Sequence, residues 1–323
     1  MEDLPLSKKV VIDCDAGVDD ALALILALHS PELEVKAVTG VNGNVPLSLV
    51  FENIQKVLSL IKPENKPFIA KGADRPLKGN PVYAHSVHGE DGLGGAKIER
   101  GEKCWELHPG PADELILEMA HQYPGELTLI ATGPLTNVAL AMGKDREGMG
   151  QLEEISIMGG AVRRKGNITP FAEFNIYSDP LAAEIVFESG LPVTLVPLDV
   201  THQAFLTPPL MEERVIPLRN PFSCFLTEAI GYDPTTRRFR EKERIYLHDP
   251  LAVGVVIDPS LVRRERVAIR VETQEGKHYG RLSETLRDPK MDVCLGLDSE
   301  AFLELFLSRL APFPSRAAGR CEV

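Results

Sequence analysis

Short runs of β-branched and apolar residues alternate with longer amphipathic runs along most of the chain. Val10-Val-Ile-Asp13 precedes the apolar stretch Ala21 to Leu28, Val35-Lys-Ala-Val-Thr39 precedes Leu47 to Ile61, and Leu127-Thr-Leu-Ile-Ala-Thr132 precedes Leu135 to Met142. Short β-branched runs read as strands and the longer runs of helical spacing as helices, so the pattern predicts βα units. It continues with Ile155-Ser-Ile-Met158, the run Pro180 to Ser189 and Val193-Thr-Leu-Val196, and closes with Val267-Ala-Ile-Arg-Val271 and a helix around Glu300 to Leu310. Such alternation predicts an α/β fold: a mostly parallel open sheet with helices on both faces, of Rossmann-like type. No linker composition or fixed-period repeat divides the chain, so residues 1–323 are expected to form a single domain. The stretch 207–246, rich in Pro, Arg and Phe, predicts a mostly helical lid or insertion.

In open α/β sheets ligands gather at the carboxyl ends of the strands. Asp13, Asp15, Asp19 and Asp20 follow the first strand and Asn42 and Asn44 the second. Thr132 ends the Leu127 strand, and Met158, Asn167, Glu173 and Asn175 follow the Ile155 strand. The predicted site is therefore an acidic and amide cluster without lysine.

Composition narrows the chemistry. The chain has 323 residues, 44% hydrophobic and 25% charged, with a formal charge of −12. A core of this size excludes a disordered or collagen-like protein, and the negative charge argues against nucleic acid as partner. The longest apolar stretch, Ala21 to Leu28, is far below the roughly 20 residues of a membrane span, and Met-Glu-Asp-Leu-Pro lacks the basic start of a signal peptide. A cytoplasmic protein that does not enter membranes is expected. Five scattered cysteines with no CxxC pair argue against a disulfide framework or a zinc site, leaving oxygen ligands for any metal.

Asp13-Cys-Asp-Ala-Gly-Val-Asp-Asp20 places four carboxylates in eight residues. Their mutual repulsion calls for a hard cation, whereas helix capping by Asp19 or Asp20 explains only one of them. The EF-hand pattern does not fit. A DxD after a first strand also opens phosphatases of the haloacid-dehalogenase type, but Gly17 stands where that motif wants Thr or Val. In His248-Asp-Pro250, Asp249 reads either as an N-cap before proline or, beside His248, as part of a proton-transferring pair, and local sequence leaves both open. Ser178-Asp-Pro180 has the same grammar and is taken as an ordinary cap. The glycine-rich His85-Ser-Val-His-Gly-Glu-Asp-Gly-Leu-Gly-Gly95 lacks a phosphate-loop pattern and suits a lid over a ligand, with His85 read as a surface histidine. Thr136 and Asn137 are candidate helix caps. If 172–177 is extended, Glu173 and Asn175 point to one side of Phe174 and suit sugar hydroxyls.

Taken together, the Asp-rich start, Gly43-Asn44, His88-Gly-Glu-Asp-Gly-Leu93, Thr132-Gly-Pro-Leu-Thr-Asn137, Met158-Gly-Gly160, Asn167, Ala172-Glu-Phe-Asn175 and His248-Asp249 resemble the nucleoside hydrolases of the inosine/uridine-preferring type, over residues 10 to about 310. The resemblance implies a Ca²⁺ enzyme that splits the N-glycosidic bond of ribonucleosides into ribose and free base. It implies metal ligation by Asp15, Asp20, Asp249 and the Thr132 carbonyl, with Asp15 also the general base. Asp19, Asn44, Asn167, Glu173 and Asn175 would hold the ribose beside Phe174, Met158 would lie beneath it, His88 would line the base pocket and His248 would assist departure of the base.

Relatives of this type are usually dimers or tetramers, so a homo-oligomer is expected. The family usually carries proline where this chain has Ala16, which predicts a looser metal loop. Trp105, the single tryptophan, has no assigned place near the base, while Tyr232, Arg237 and Arg238 are candidates for touching it or for a solvated basic face. A nucleoside-binding protein of the same fold without turnover is the remaining alternative, since fold alone does not fix function.

Overall fold

The computed structural model describes residues 7–98, 105–233, 235–239 and 243–310. The start of the chain, Cys104 and Cys321, on which parts of the reading above fell, lie outside them.

The alternating runs fold as the pattern predicts. Seven parallel strands are β1 (Lys8–Cys14), β2 (Leu33–Gly40), β3 (Phe68–Lys71), β4 (Glu106–Leu107), β5 (Leu127–Ala131), β6 (Glu154–Met158) and β7 (Val193–Val196). They stand in the order β4-β3-β2-β1-β5-β6-β7, and Met291–Leu297 continues the sheet parallel to β7. Val262–Val271 then runs antiparallel to that strand and to the edge strand Leu282–Thr285. Along β1, Val10, Ile12 and Cys14 join one apolar layer and Val11 the other, so both faces of the strand are dry. That is why its sequence is continuously apolar. The helix Val18–Leu28 is buried on nearly every side and packs against the helix His248–Ile257.

The strand order reverses between β1 and β5, where successive connections leave toward opposite edges of the sheet. A crevice forms at such a switch point outside the carboxyl ends. Asp13 of β1 lies in register with Thr39 of β2 and with Ala131 of β5, so the loops after these strands open onto the same place.

The region 207–246 is largely helical, as expected. It contains the turns Pro208–Leu210, Met211–Val215 and Ile216–Leu218 and the helix Pro221–Ala229. Two short antiparallel pairs were not expected: Tyr232–Asp233 with Arg238–Phe239, and Ile245–Tyr246 with Phe205–Leu206. The second pair ties the end of the insertion to the chain after β7. Cys14 and Cys294 are free and buried, but Cys224 is disulfide-bonded. Scattered cysteines exclude a framework, not a single bridge.

Candidate active site

The end of β1, the loop after it and the first turn of the helix Val18–Leu28 turn three aspartates inward. Asp13, Asp15 and Asp20 are fully buried, and Asp249 nearly so. Oxygens of Asp19, Asp20 and Asp249 all lie within 4.8 Å of one another. Asp15 is bound into the same group: Asn44 donates to it from its backbone N–H (2.7 Å) and its side-chain amide (2.9 Å), and reaches Asp20 at 3.2 Å. The approach needs a glycine, because a Cβ on Gly43 would stand 2.0 Å from Asp15 Oδ2. Thr132 Oγ1 donates to Asp20 (2.7 Å), and the Thr132 carbonyl accepts from Asn175 Nδ2 (2.8 Å).

Burial pushes the carboxyls of Asp15, Asp20 and Asp249 up, and repulsion from neighbouring aspartates, in the case of Asp20 from Asp19, adds to the shift; Asp15 and Asp249 end well above the usual carboxylate range. Asp13, held by Thr39 Oγ1 and by Asn137 Nδ2 at 2.8 Å, is pushed up to about 7, chiefly by burial. Among the described residues no Lys or Arg pairs with Asp15, Asp20 or Asp249. Crowded carboxylates, three of them with raised proton affinity, match the donor set of a hard divalent ion.

Capping accounts for one aspartate only. Asp20 accepts from the N–H of Gly17 (2.8 Å), the N-cap of the first helix, as an acid in a first turn does. Asp179 caps its helix as expected, accepting from Ala182 N–H (3.1 Å). Asp249 does not: the N-cap there is Leu247, with Asp249 already inside the helix and turned to the other carboxylates, which removes the capping alternative. Thr136 and Asn137 also fail as caps. Their side chains bond Asp179 (2.7 Å) and Asp13 instead, tying neighbouring loops together.

Ala16 departs from expectation in kind. Its φ is +46°, a left-handed conformation closed to proline, so the loop is not a loosened copy of one carrying proline but takes a different turn. Ala16→Gly should therefore raise stability by about 1 kcal/mol, and Ala16→Pro should lower it by about 3 kcal/mol or more. Urea unfolding at fixed Ca²⁺ checks both, and a proline variant as stable as wild type would refute the turn.

A cavity of about 740 Å³ opens over the carboxylates. Asp19, Asn44, Thr132, Met158 and Asp249 line it, as do Asn167, Glu173, Phe174, Asn175, His88 and His248. Of the expected site residues, Asp15 and Asp20 are outside this lining and fully buried. The segment expected to be extended is instead the helix Phe174–Ser178, capped by Glu173. Glu173 accepts from the N–H groups of Gly160 (2.7 Å), Asn175 (2.8 Å) and Ile176 (3.2 Å) and is still pushed up by burial. Asn167 Oδ1 takes the N–H of Phe174 (2.9 Å). The two loops that form this side of the cavity are thereby locked to each other.

His88 Nδ1 accepts from Val18 N–H (3.1 Å) and lies 3.8 Å from Asp19. His248 Nδ1 contacts Thr201 Oγ1 at 2.7 Å. Tyr246 stacks on His202 with centroids 4.5 Å apart, and its ring is 5.4 Å from that of His248. Tyr83, Ile168, Arg244, Ile245 and Tyr246 also line the cavity, and sequence reasoning missed all five. Of the lid candidates, Tyr232 and Arg238 line a separate hollow, and Arg237 pairs with Glu212 at 3.4 Å. Trp105 packs against the core.

Residues 10–304 match the family described as inosine-uridine preferring nucleoside hydrolase. The chain is 37% identical over 318 residues to the pyrimidine-specific ribonucleoside hydrolase RihA of Photobacterium profundum, covering 95% of this chain and 100% of that one. Among solved structures it is similar to a plant nucleoside hydrolase (33% identity, TM-score 0.86, 95% and 99% covered) and to the purine-preferring ribonucleoside hydrolase of Gardnerella vaginalis (34%, 0.84, 94% and 98%). The chain belongs to the inosine-uridine preferring nucleoside hydrolase family and is an enzyme of the N-glycosyl hydrolase class. The phosphatase reading and the reading as a binding protein without turnover fall with that result. Among the described residues no helix is long and apolar enough to cross a membrane.

Proposed function

We propose that the protein is a Ca²⁺-dependent hydrolase of the N-glycosidic bond of ribonucleosides of the uridine and inosine type, acting in the cytoplasm as a homo-oligomer. The observation that carries this reading is one cavity lined by the carboxylates of Asp19, Glu173 and Asp249 together with the rings of His248 and Tyr246, with Asp20 within 4.8 Å of Asp19 and Asp249. Asp15, Asp20, Asp249 and the Thr132 carbonyl would hold the ion, with Asp19 close by. When bound, Ca²⁺ orients the diol and a water molecule and neutralises the acids around it, while lowering the water's pKa only modestly.

The residues supply the rest. Asp15 takes the proton of the attacking water. As the C1′–N bond lengthens, positive charge grows on the ribose, and the anionic oxygens of Asp15, Asp19 and Asp249 stabilise it. Asn44, Asn167, Glu173 and Asn175 hold the sugar hydroxyls, Met158 supports the ring from below and Phe174 closes its side. His248, oriented through Nδ1 by Thr201, turns its Nε2 to the departing base, and His88 bounds the base pocket.

The test is release of free base from uridine, inosine, cytidine, adenosine and guanosine, with and without chelation. Release from uridine and inosine that stops on chelation and returns with Ca²⁺ is expected. No release from any nucleoside in the presence of Ca²⁺ would overturn the assignment. Light scattering at a mass of 35.5 kDa would overturn the oligomer.

A further inference from the structure

We propose that Arg244 is a specificity-determining residue that donates to carbonyl oxygens on the departing base, so that the enzyme favours oxo bases over amino bases: uridine over cytidine and inosine over adenosine. This rests on the hydrolase reading above and adds the edge of the base that is recognised.

Arg244 is the only Lys or Arg among the described residues that line the cavity. Its position is fixed by the short strand pair that ends the insertion. Tyr246 faces Phe205 across that pair, and Arg244, two residues earlier, lies on the same side with its guanidinium 4.5 Å from the Phe205 ring centroid. Tyr246 in turn stands 5.4 Å from His248. Arg244 thus stands with Tyr246 and His248, in a cavity lined also by the acids Asp19, Glu173, Glu243 and Asp249. His202, stacked on Tyr246, is pushed down by burial and by the charge of Arg164, so it adds no second cation beside Tyr246.

Heterolysis of the glycosidic bond needs this polarity. The C1′–N electron pair passes to the base nitrogen and spreads onto the ring carbonyls, while the water oxygen bonds C1′ and its proton goes to Asp15. The base nitrogen takes up a proton from solvent water, and Asp15 returns its proton to solvent. A guanidinium N–H directed at a carbonyl oxygen gains strength as negative charge builds there, so it acts on the transition state more than on binding. An exocyclic amine at the same edge meets a donor with a donor and loses the bond.

The experiment compares kcat/KM for uridine, cytidine and p-nitrophenyl riboside in wild type, Arg244→Gln and Arg244→Lys with Ca²⁺ present. The nitrophenolate carries its own negative charge and needs little help. Wild type should prefer uridine to cytidine about tenfold or more. Arg244→Gln should lower the uridine to p-nitrophenyl riboside ratio about tenfold or more, mainly through kcat, and Arg244→Lys should recover part of it. Equal losses on all three substrates, or no preference for uridine in wild type, would overturn the proposal while leaving the hydrolase standing. Failure of wild type to release base from any nucleoside would overturn both.

Discussion

Asp15→Asn should reduce kcat for uridine by about 10³-fold or more while the protein stays folded. The substitution keeps the size of the side chain and one carbonyl oxygen but removes the ability to accept a proton. Two hydrogen bonds from Asn44 fix the orientation of Asp15, and the absence of a Cβ at Gly43 leaves room for it, so the carboxylate is held rather than free to be replaced by a neighbour. Asp19→Asn provides the contrast, because Asp19 lies on the cavity wall and would lose contact with the sugar without removing the base. Steady-state kinetics with melting curves for both variants decides the matter. Retention of more than a tenth of the activity in Asp15→Asn, with a larger loss in Asp19→Asn, would transfer the base role to Asp19.

The contrast between those two residues shows where sequence was informative. Period and composition were enough for β1, β2, β5, β6 and β7 and for the helices between them, because each buries a regular apolar pattern. β3 and β4 were not legible: Phe68–Lys71 has one β-branched residue where the equally short Val193–Val196 has three, and Glu106–Leu107 is only two residues long. Pairing of β3 with β2 and of β4 with β3 decides them. The carboxylate cluster was legible because four acids in eight residues conflict with burial unless something balances them. Tyr246, Arg244 and Tyr83 were not, because they reach the cavity through a lid and a two-residue strand pair whose placement is a tertiary matter. Glu173 shows a subtler limit: its place at the cavity was expected, but its second use as a helix cap depends on the backbone of 173–178 turning helical, which an apolar-polar alternation of six residues concealed.

Without its ion the protein should become less stable as pH rises from 5 to 8, and Ca²⁺ should cancel that trend. In the unfolded chain these carboxyls titrate near about 4. In the fold, burial lifts Asp13 to about 7 and Asp15 and Asp249 well above the usual range, with repulsion among Asp15, Asp19, Asp20 and Asp249 adding to it. A carboxyl whose folded pKa is raised supports the fold fully while protonated, below about pH 4, and loses that support as pH climbs toward the folded pKa. Asp13 alone loses about 4 kcal/mol in this way between pH 4 and 7, at about 1.4 kcal/mol per pH unit. At roughly 2 °C per kcal/mol for a chain of this length, the melting temperature of the chelated protein should fall by about 5 °C or more from pH 5 to pH 8. A divalent ion exchanges protons for itself at Asp15, Asp20 and Asp249, so binding strengthens with pH and the gap between melting curves with and without Ca²⁺ should widen. Calorimetry in buffers of different ionisation enthalpy should record proton release on Ca²⁺ binding at pH 6. Melting curves that stay parallel across this range, with no proton release, would show that the buried acids of the loop are balanced within the protein itself, and the cation would lose its structural reason for being there.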